Sequence, residues 1–188
     1  MKRMILMAGI ALAGLAAGCN KVKQLADINV DIPYSSQVNI LASTYDSLGF
    51  VLPAGGASLS LPPVPVVTNS QQYISEYKTS TDKILDVDLK SLALQIVSPP
   101  NHNFDFLDNV QVYISSNTLP EVLVASQDIV PKGSTTLNLN TQADVNLKSY
   151  FVQDTIYFRL ETHINAIPPL GTQLNIASVF HLLANPLE

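Results

Sequence analysis

Asp86 and Asp88 stand two residues apart in the alternating run from Ile84 to Ser98, so both carboxyl groups share one strand face. Side chains at that spacing lie about 7 Å apart, which suits the acid pair of a glycosidase. His102 and Asp105, in the turn that follows, would complete a hydrolase built on these four polar groups. Lys83 and Lys90 flank the pair, however, and a solvated, charge-balanced sheet face is the plainer reading. Asn101-x-Asn103-x-Asp105 places oxygens at alternate positions, like the first half of a calcium loop. Phe106 occupies the place where such a loop needs glycine, and Val112 the place of its bidentate glutamate, so an Asx-rich turn anchored by Phe104 and Phe106 fits better. His163 and His181 fall opposite in parity to the most apolar positions of their strands and are expected as outward or rim imidazoles. Zinc needs three or four converging donors, so no metal site is assigned. The chain has no Gly-x-Ser-x-Gly elbow, no phosphate loop and no His-Glu-x-x-His. No catalytic or cofactor-binding residue is therefore assigned, and the expectation is a protein that is not an enzyme.

Ligand binding without chemistry is a second possibility. Sugars are held by aromatic platforms with polar rims; the chain has no Trp, and Tyr34, Tyr45, Tyr73 and Tyr77 are the aromatic candidates, any of which could equally pack on a sheet. With 10 Lys+Arg against 15 Asp+Glu, a formal charge of −5 and no basic cluster, nucleic acid is not expected as a partner. Charged residues make up 13% and apolar ones 47% of the 188 residues, which excludes disorder driven by charge and fits one compact domain.

The amino terminus sets the expected location. Lys2 and Arg3 precede an apolar run from Met4 to Ala17, followed by Gly18 and Cys19. That is the anatomy of an export signal, and the run is shorter than the roughly 20 residues a spanning helix needs. Leu15-Ala16-Ala17-Gly18-Cys19 resembles the lipobox of bacterial lipoproteins, with its Leu one place further from the cysteine than is commonest. The resemblance implies cleavage after residue 18, acylation of the Cys19 thiol and no cofactor. All 3 Met and the single Cys lie at or before position 19, so the mature chain could form no internal disulfide. Two or three acyl chains would hold it permanently on a membrane. Residues 19–27 form the lipidated tether, and its eight residues after Cys19 reach under roughly 30 Å at about 3.5 Å each.

The elements that position these residues have mostly a period of two. Ile28, Val30 and Ile32 alternate until Pro33 interrupts them, and Gln37 to Leu41 resumes the extended pattern. Residues 46–67, with Gly49, Gly55, Gly56 and Leu61-Pro62-Pro63-Val64-Pro65, read as a Pro/Gly-rich surface connection. Asn69 and Gln72 predict a capped helix start, with Tyr73, Ile74 and Tyr77 at helical spacing. In the strand 84–98, Leu85, Val87 and Leu89 share one parity while Leu92, Leu94 and Ile96 share the other, which predicts a bulge near Lys90-Ser91. Further strands are expected at 109–115, 121–126, 135–139, 155–166 and 172–183. A short helical connection is expected over 141–151, with Asp144 near its start and Lys148 near its end. All 12 Pro fall outside the strand interiors drawn this way. Seven or eight strands with one or two short helices predict an all-β, antiparallel β-sandwich in a single domain, residues 28–188.

From residue 84 onward the chain also resembles small, uncharacterised outer-membrane lipoproteins of Bacteroidota type. The resemblance rests on Leu89-Lys90-Ser91-Leu92, Ser98-Pro99, Asn103-Phe104-Asp105-Phe106-Leu107, Tyr113-Ile114-Ser115 and Leu119-Pro120-Glu121, with Asp31-Ile32-Pro33-Tyr34 similar to their first strand. It implies an immunoglobulin-like sandwich and brings no catalytic residue. Asp46-Ser47-Leu48 and Asp154-Thr155-Ile156 are similar to the O-glycosylation sequence of Bacteroidota export, with Ser47 the better placed acceptor in its predicted loop. The basic Asn20-Lys21-Val22-Lys23, where acidic residues would favour the cell surface, leans toward the periplasmic face of the outer membrane. The leading expectation is a non-catalytic, membrane-anchored interaction or structural module with an envelope protein partner. A glycan or small-ligand binding lipoprotein is the alternative, and a hydrolase the third reading.

Overall fold

The computed structural model describes residues 27–40 and 52–185; the leader, the tether with Cys19, and Tyr45 and Ser47 lie outside them. In chain order the strands are β1 (Ile28–Asn39), β2 (Ala57–Ser60), β3 (Val64–Val67), β4 (Ile84–Ser98), β5 (Leu107–Ser115), β6 (Val122–Gln127), β7 (Thr136–Thr141), β8 (Thr155–Ile164) and β9 (Gln173–Ala184). Two short helices, α1 (Ser70–Glu76) and α2 (Lys148–Phe151), interrupt the series. All pairings are antiparallel.

The strands form one curled sheet in the order β1-β9-β4-β7-β6-β5-β8-β2, with β3 also on β8. Its two halves are joined where Ala125 and Ser126 of β6 meet Thr141 and Asn140 of β7, with the Gln142 N–H donating to the Val124 carbonyl at 2.9 Å beside them. The apolar rows of the two halves face each other and form a single buried cluster, in which Phe104, Phe151, Phe158 and Phe180 are fully enclosed. The expected antiparallel all-β sandwich is what the chain forms.

The order of strands within it departs from the immunoglobulin arrangement that the resemblance implied. An immunoglobulin order seats the last strand beside the one before it. Here residues 165–172 carry the chain across to the other half, so β9 lies between β1 and β4 while β8 lies between β5 and β2/β3. Halves ordered β1-β9-β4-β7 and β2/β3-β8-β5-β6 make a jelly roll.

Four local expectations need correcting. First, residues 46–67 hold β2 and β3, which run in line along β8; the Leu61 N–H donates to the Leu160 carbonyl at 2.9 Å, keeping contact across Pro62 and Pro63. Second, Pro33 and Pro65 lie inside β1 and β3, which is tolerated because both are edge strands where one side of the backbone has no partner to satisfy. Third, Leu85 is exposed: besides the expected bulge between Leu89 and Ser91 there is another between Ile84 and Asp86, so Ile84 turns inward in its place. Fourth, both helices start differently. Asn69 is left-handed (φ 50°) with no side-chain cap, and α2 begins at Lys148, whose ammonium donates to the Ile84 carbonyl.

The two edges approach each other at one place. The Tyr34 hydroxyl of β1 donates to the Thr68 carbonyl just beyond β3, and the Tyr34 ring stands edge-on to Phe180 and Tyr73, with centroids 5.5 and 6.5 Å away. Burial, with Tyr73 adding to it, pushes the Tyr34 phenol above its ordinary range. Tyr34 and Tyr73 are therefore packing residues rather than a sugar platform.

Candidate functional site

Alternation along β8 turns Ile156, Phe158, Leu160, Thr162 and Ile164 into the core and Arg159, Glu161 and His163 outward. The register sets Arg159 beside Tyr113, Glu161 between Gln111 and Ser60, and His163 between Asn109 and Ser58. Together these strands hollow a groove of about 410 Å³ on the outer face, lined by Ser58, Ser60, Asn109, Gln111, Glu161 and His163.

Most of its side chains are fixed by intramolecular bonds. Arg159 forks onto Glu121, Nε to Oε1 and Nη2 to Oε2 both at 2.6 Å, donates to Glu161 and to Ser60 Oγ (2.8 Å), and lies 4.8 Å from the centre of the Tyr113 ring. The Glu121 pair, opposed by partial burial, raises the guanidinium pKa, and Arg159 in turn holds Glu121 below the usual carboxylate range. Gln111 Oε1 accepts from the Tyr113 hydroxyl, and Asn109 Oδ1 accepts from the His163 backbone N–H.

His163 Nδ1 sits 2.9 Å from Asp108 Oδ2, and Asn165 donates to the other oxygen of that carboxylate. Asn165 first, then His163, keeps Asp108 below its ordinary range. Gly56 approaches the imidazole so closely that a Cβ there would meet His163 Cε1 at 2.5 Å and the Ile164 carbonyl oxygen at 2.4 Å, at φ +80°.

The outer face of the other half is simpler. Asp31 of β1 accepts from Lys90 Nζ at 2.5 Å and pairs with His181 Nδ1 at 2.8 Å, which together lower its pKa. Asp86 and Asp88 do share that face, and burial first, then Asp86, raises the Asp88 pKa. His163 and His181 are thus half-buried rim imidazoles on opposite faces, each turned to an aspartate.

The four hydrolase candidates do not come together. Asp88 and the loop holding His102 and Asp105 are separated by the rest of β4, about 30 Å of strand. Asn103 Oδ1 accepts from the Asp105 N–H, and Asp105 Oδ1 accepts from the Gly133 N–H at 2.6 Å, so the calcium-like oxygens close turns while Phe104 and Phe106 anchor the loop. Thr155 is paired in β8 with Ile156 buried beneath it, and Tyr77 is exposed. Among the described residues no group of three or more His, Cys, Asp or Glu could hold a metal, and no helix is long and apolar enough to cross a membrane.

Sequence reasoning missed the groove. The outward row Arg159, Glu161, His163 is visible as polar residues at period two, but Ser58 and Ser60 lie in the stretch read as a connection.

No family model matches the chain, and no curated protein matches it. Among solved structures it is similar to one of Desmodium yellow mottle tymovirus, at 12% identity over 100% of this chain and 95% of that one, with a TM-score of 0.24. A structure of turnip yellow mosaic virus is similar at 14% identity, 86% of this chain and 96% of that one, also at 0.24. Likenesses at this score carry no argument for function.

Proposed function

We propose that this chain is a non-catalytic binding module of the bacterial envelope, anchored through acylated Cys19 to the periplasmic face of the outer membrane, whose outer β2-β8-β5 face seats its partner. The observation that carries the reading is the groove itself: polar side chains held in place by bonds to the protein, with hydrogen-bonding groups left over. Preorganised groups of this kind favour binding because little side-chain freedom is lost when a ligand arrives.

Placement supports presentation. Ile28, next to the tether, pairs with Ala184 at one end of β1, whereas Asn39 pairs with Gln173 at the other, beside the crossover that follows His163. Twelve residues of strand separate those ends, about 40 Å, so a lipid on Cys19 would leave the His163 end of the groove facing away from the bilayer.

Site-specific photo-crosslinking of the full chain in its native cells tests this. A photoreactive residue at position 60 should give a discrete adduct and one at exposed Ser91, on the opposite face, none. Equal labelling at the two positions, or none at 60, would overturn it. Fatty-acid labelling lost in Cys19→Ala checks the anchor separately.

A further inference from the structure

The groove's chemistry narrows what it can hold, and we infer that its ligand is a neutral or amino-bearing saccharide; this rests on the groove being the module's binding seat. Three classes of ligand fit poorly. An apolar ligand or a protein hot spot needs buried aromatic or aliphatic anchors, and the lining is Ser58, Ser60, Asn109, Gln111, Glu161 and His163, with Leu59 and Thr162 whose side chains are buried. A phosphate or sulfate needs an available cation, and the guanidinium of Arg159 is already satisfied by Glu121 and Glu161. A polyanion would also face the Glu161 carboxylate in the groove lining.

A polyhydroxylated ligand meets none of these three obstacles; with no aromatic ring in the lining, the groove would hold it by hydrogen bonds rather than by stacking. Each sugar hydroxyl both donates and accepts. The groove offers matching groups: two serine hydroxyls, the amides of Asn109 and Gln111, the Glu161 carboxylate and the imidazole of His163. His163 Nδ1 is held by Asp108, which leaves Nε2 as the ring nitrogen open to a ligand. The volume of about 410 Å³ falls inside the roughly 300–1,000 Å³ range of small-ligand sites. The seat lies along an open sheet face, which suits a segment within a glycan chain as well as its end. Glu161, about half exposed, keeps an oxygen that an amino group could reach.

The test uses the purified full-length protein in detergent on an array of neutral, aminated, N-acetylated and sulfated oligosaccharides, followed by calorimetry with the best neutral or aminated binder. Binding is expected to neutral or aminated sugars and not to their sulfated forms. Gln111→Ala and Asn109→Ala should each weaken it about tenfold, the scale of one lost hydrogen bond. Ser58→Ala, exposed and without an internal bond, should weaken it by a smaller factor without disturbing the fold, and Ser91→Ala should leave it unchanged. Three results would overturn the assignment: no neutral or aminated sugar bound, tighter binding of sulfated forms, or an affinity insensitive to all three groove variants. If no sugar binds while the position-60 adduct persists, the saccharide is wrong and the module stands. If the adduct is missing too, both fall.

Discussion

The two outer faces of the sandwich begin from the same alternation and end differently. On the β1-β9-β4 face, Asp31, Lys90 and His181 form a cross-strand ion group in which Lys90 and Asp31 are about half exposed. On the β2-β8-β5 face, Arg159 is 19% exposed and tied to two carboxylates, a serine and an aromatic ring. An open pair is screened by water and salt, whereas a bidentate guanidinium holds its surroundings in one geometry. Charge on the first face mainly decorates the sheet; on the second it shapes a groove.

Gly56→Ala attacks the second face most directly. The left-handed backbone and the collision with His163 and Ile164 should together cost about 3 kcal/mol, read as a lower midpoint in urea unfolding. Arg159→Ala comes next, at about 2 kcal/mol by the same measurement, since Glu121 and Glu161 lose their common cation; equal stability of variant and parent would erase the contrast between the faces.

Asp31→Asn should lower the melting temperature less than Arg159→Ala, and its effect should shrink in high salt while that of Arg159→Ala persists. Acid extends the contrast. Asp31, Asp108 and Glu121 have folded pKa values below their unfolded ones. Their stabilisation is therefore complete above pH of about 4 and lost as pH falls through the lowered values. In Asp31→Asn the stability-against-pH curve should flatten in that window.

Asp88→Asn gives the smallest effect and the opposite sign. Its folded pKa is raised, by burial and then by Asp86, so its ionised form opposes folding at neutral pH. The variant should be slightly more stable than the parent at pH 7, with the gain fading as pH drops through the raised folded value and gone below the unfolded value near 4. A loss of stability at pH 7 would mean that Asp88 makes a favourable contact on that face.

These faces were unequally legible from sequence. Period two located β4 to β9, and the change of parity around Lys90 located a bulge that the structure contains. The Leu85 side chain was misplaced because a single residue inserted after Ile84 reverses every assignment before it. Strand order was beyond reach, since it depends on where residues 165–172 carry the chain and not on any local pattern. The β2 and β3 strands read as coil because Pro62 and Pro63 separate them and Pro65 lies inside β3, while what makes them strands is a distant partner, β8. With them went Ser58 and Ser60, and hence the groove wall. Asp108 as the partner of His163 was equally hidden, because a bulge between Leu107 and Asn109 brings them together.

The prolines at the two borders of the curled sheet carry one more consequence. A copy of this protein trying to extend its neighbour by main-chain pairing would meet Pro33 on one side and Pro62, Pro63 and Pro65 on the other, each without an N–H to offer. Each border of the sheet thus offers a neighbouring chain an interrupted template rather than a continuous row of donors and acceptors.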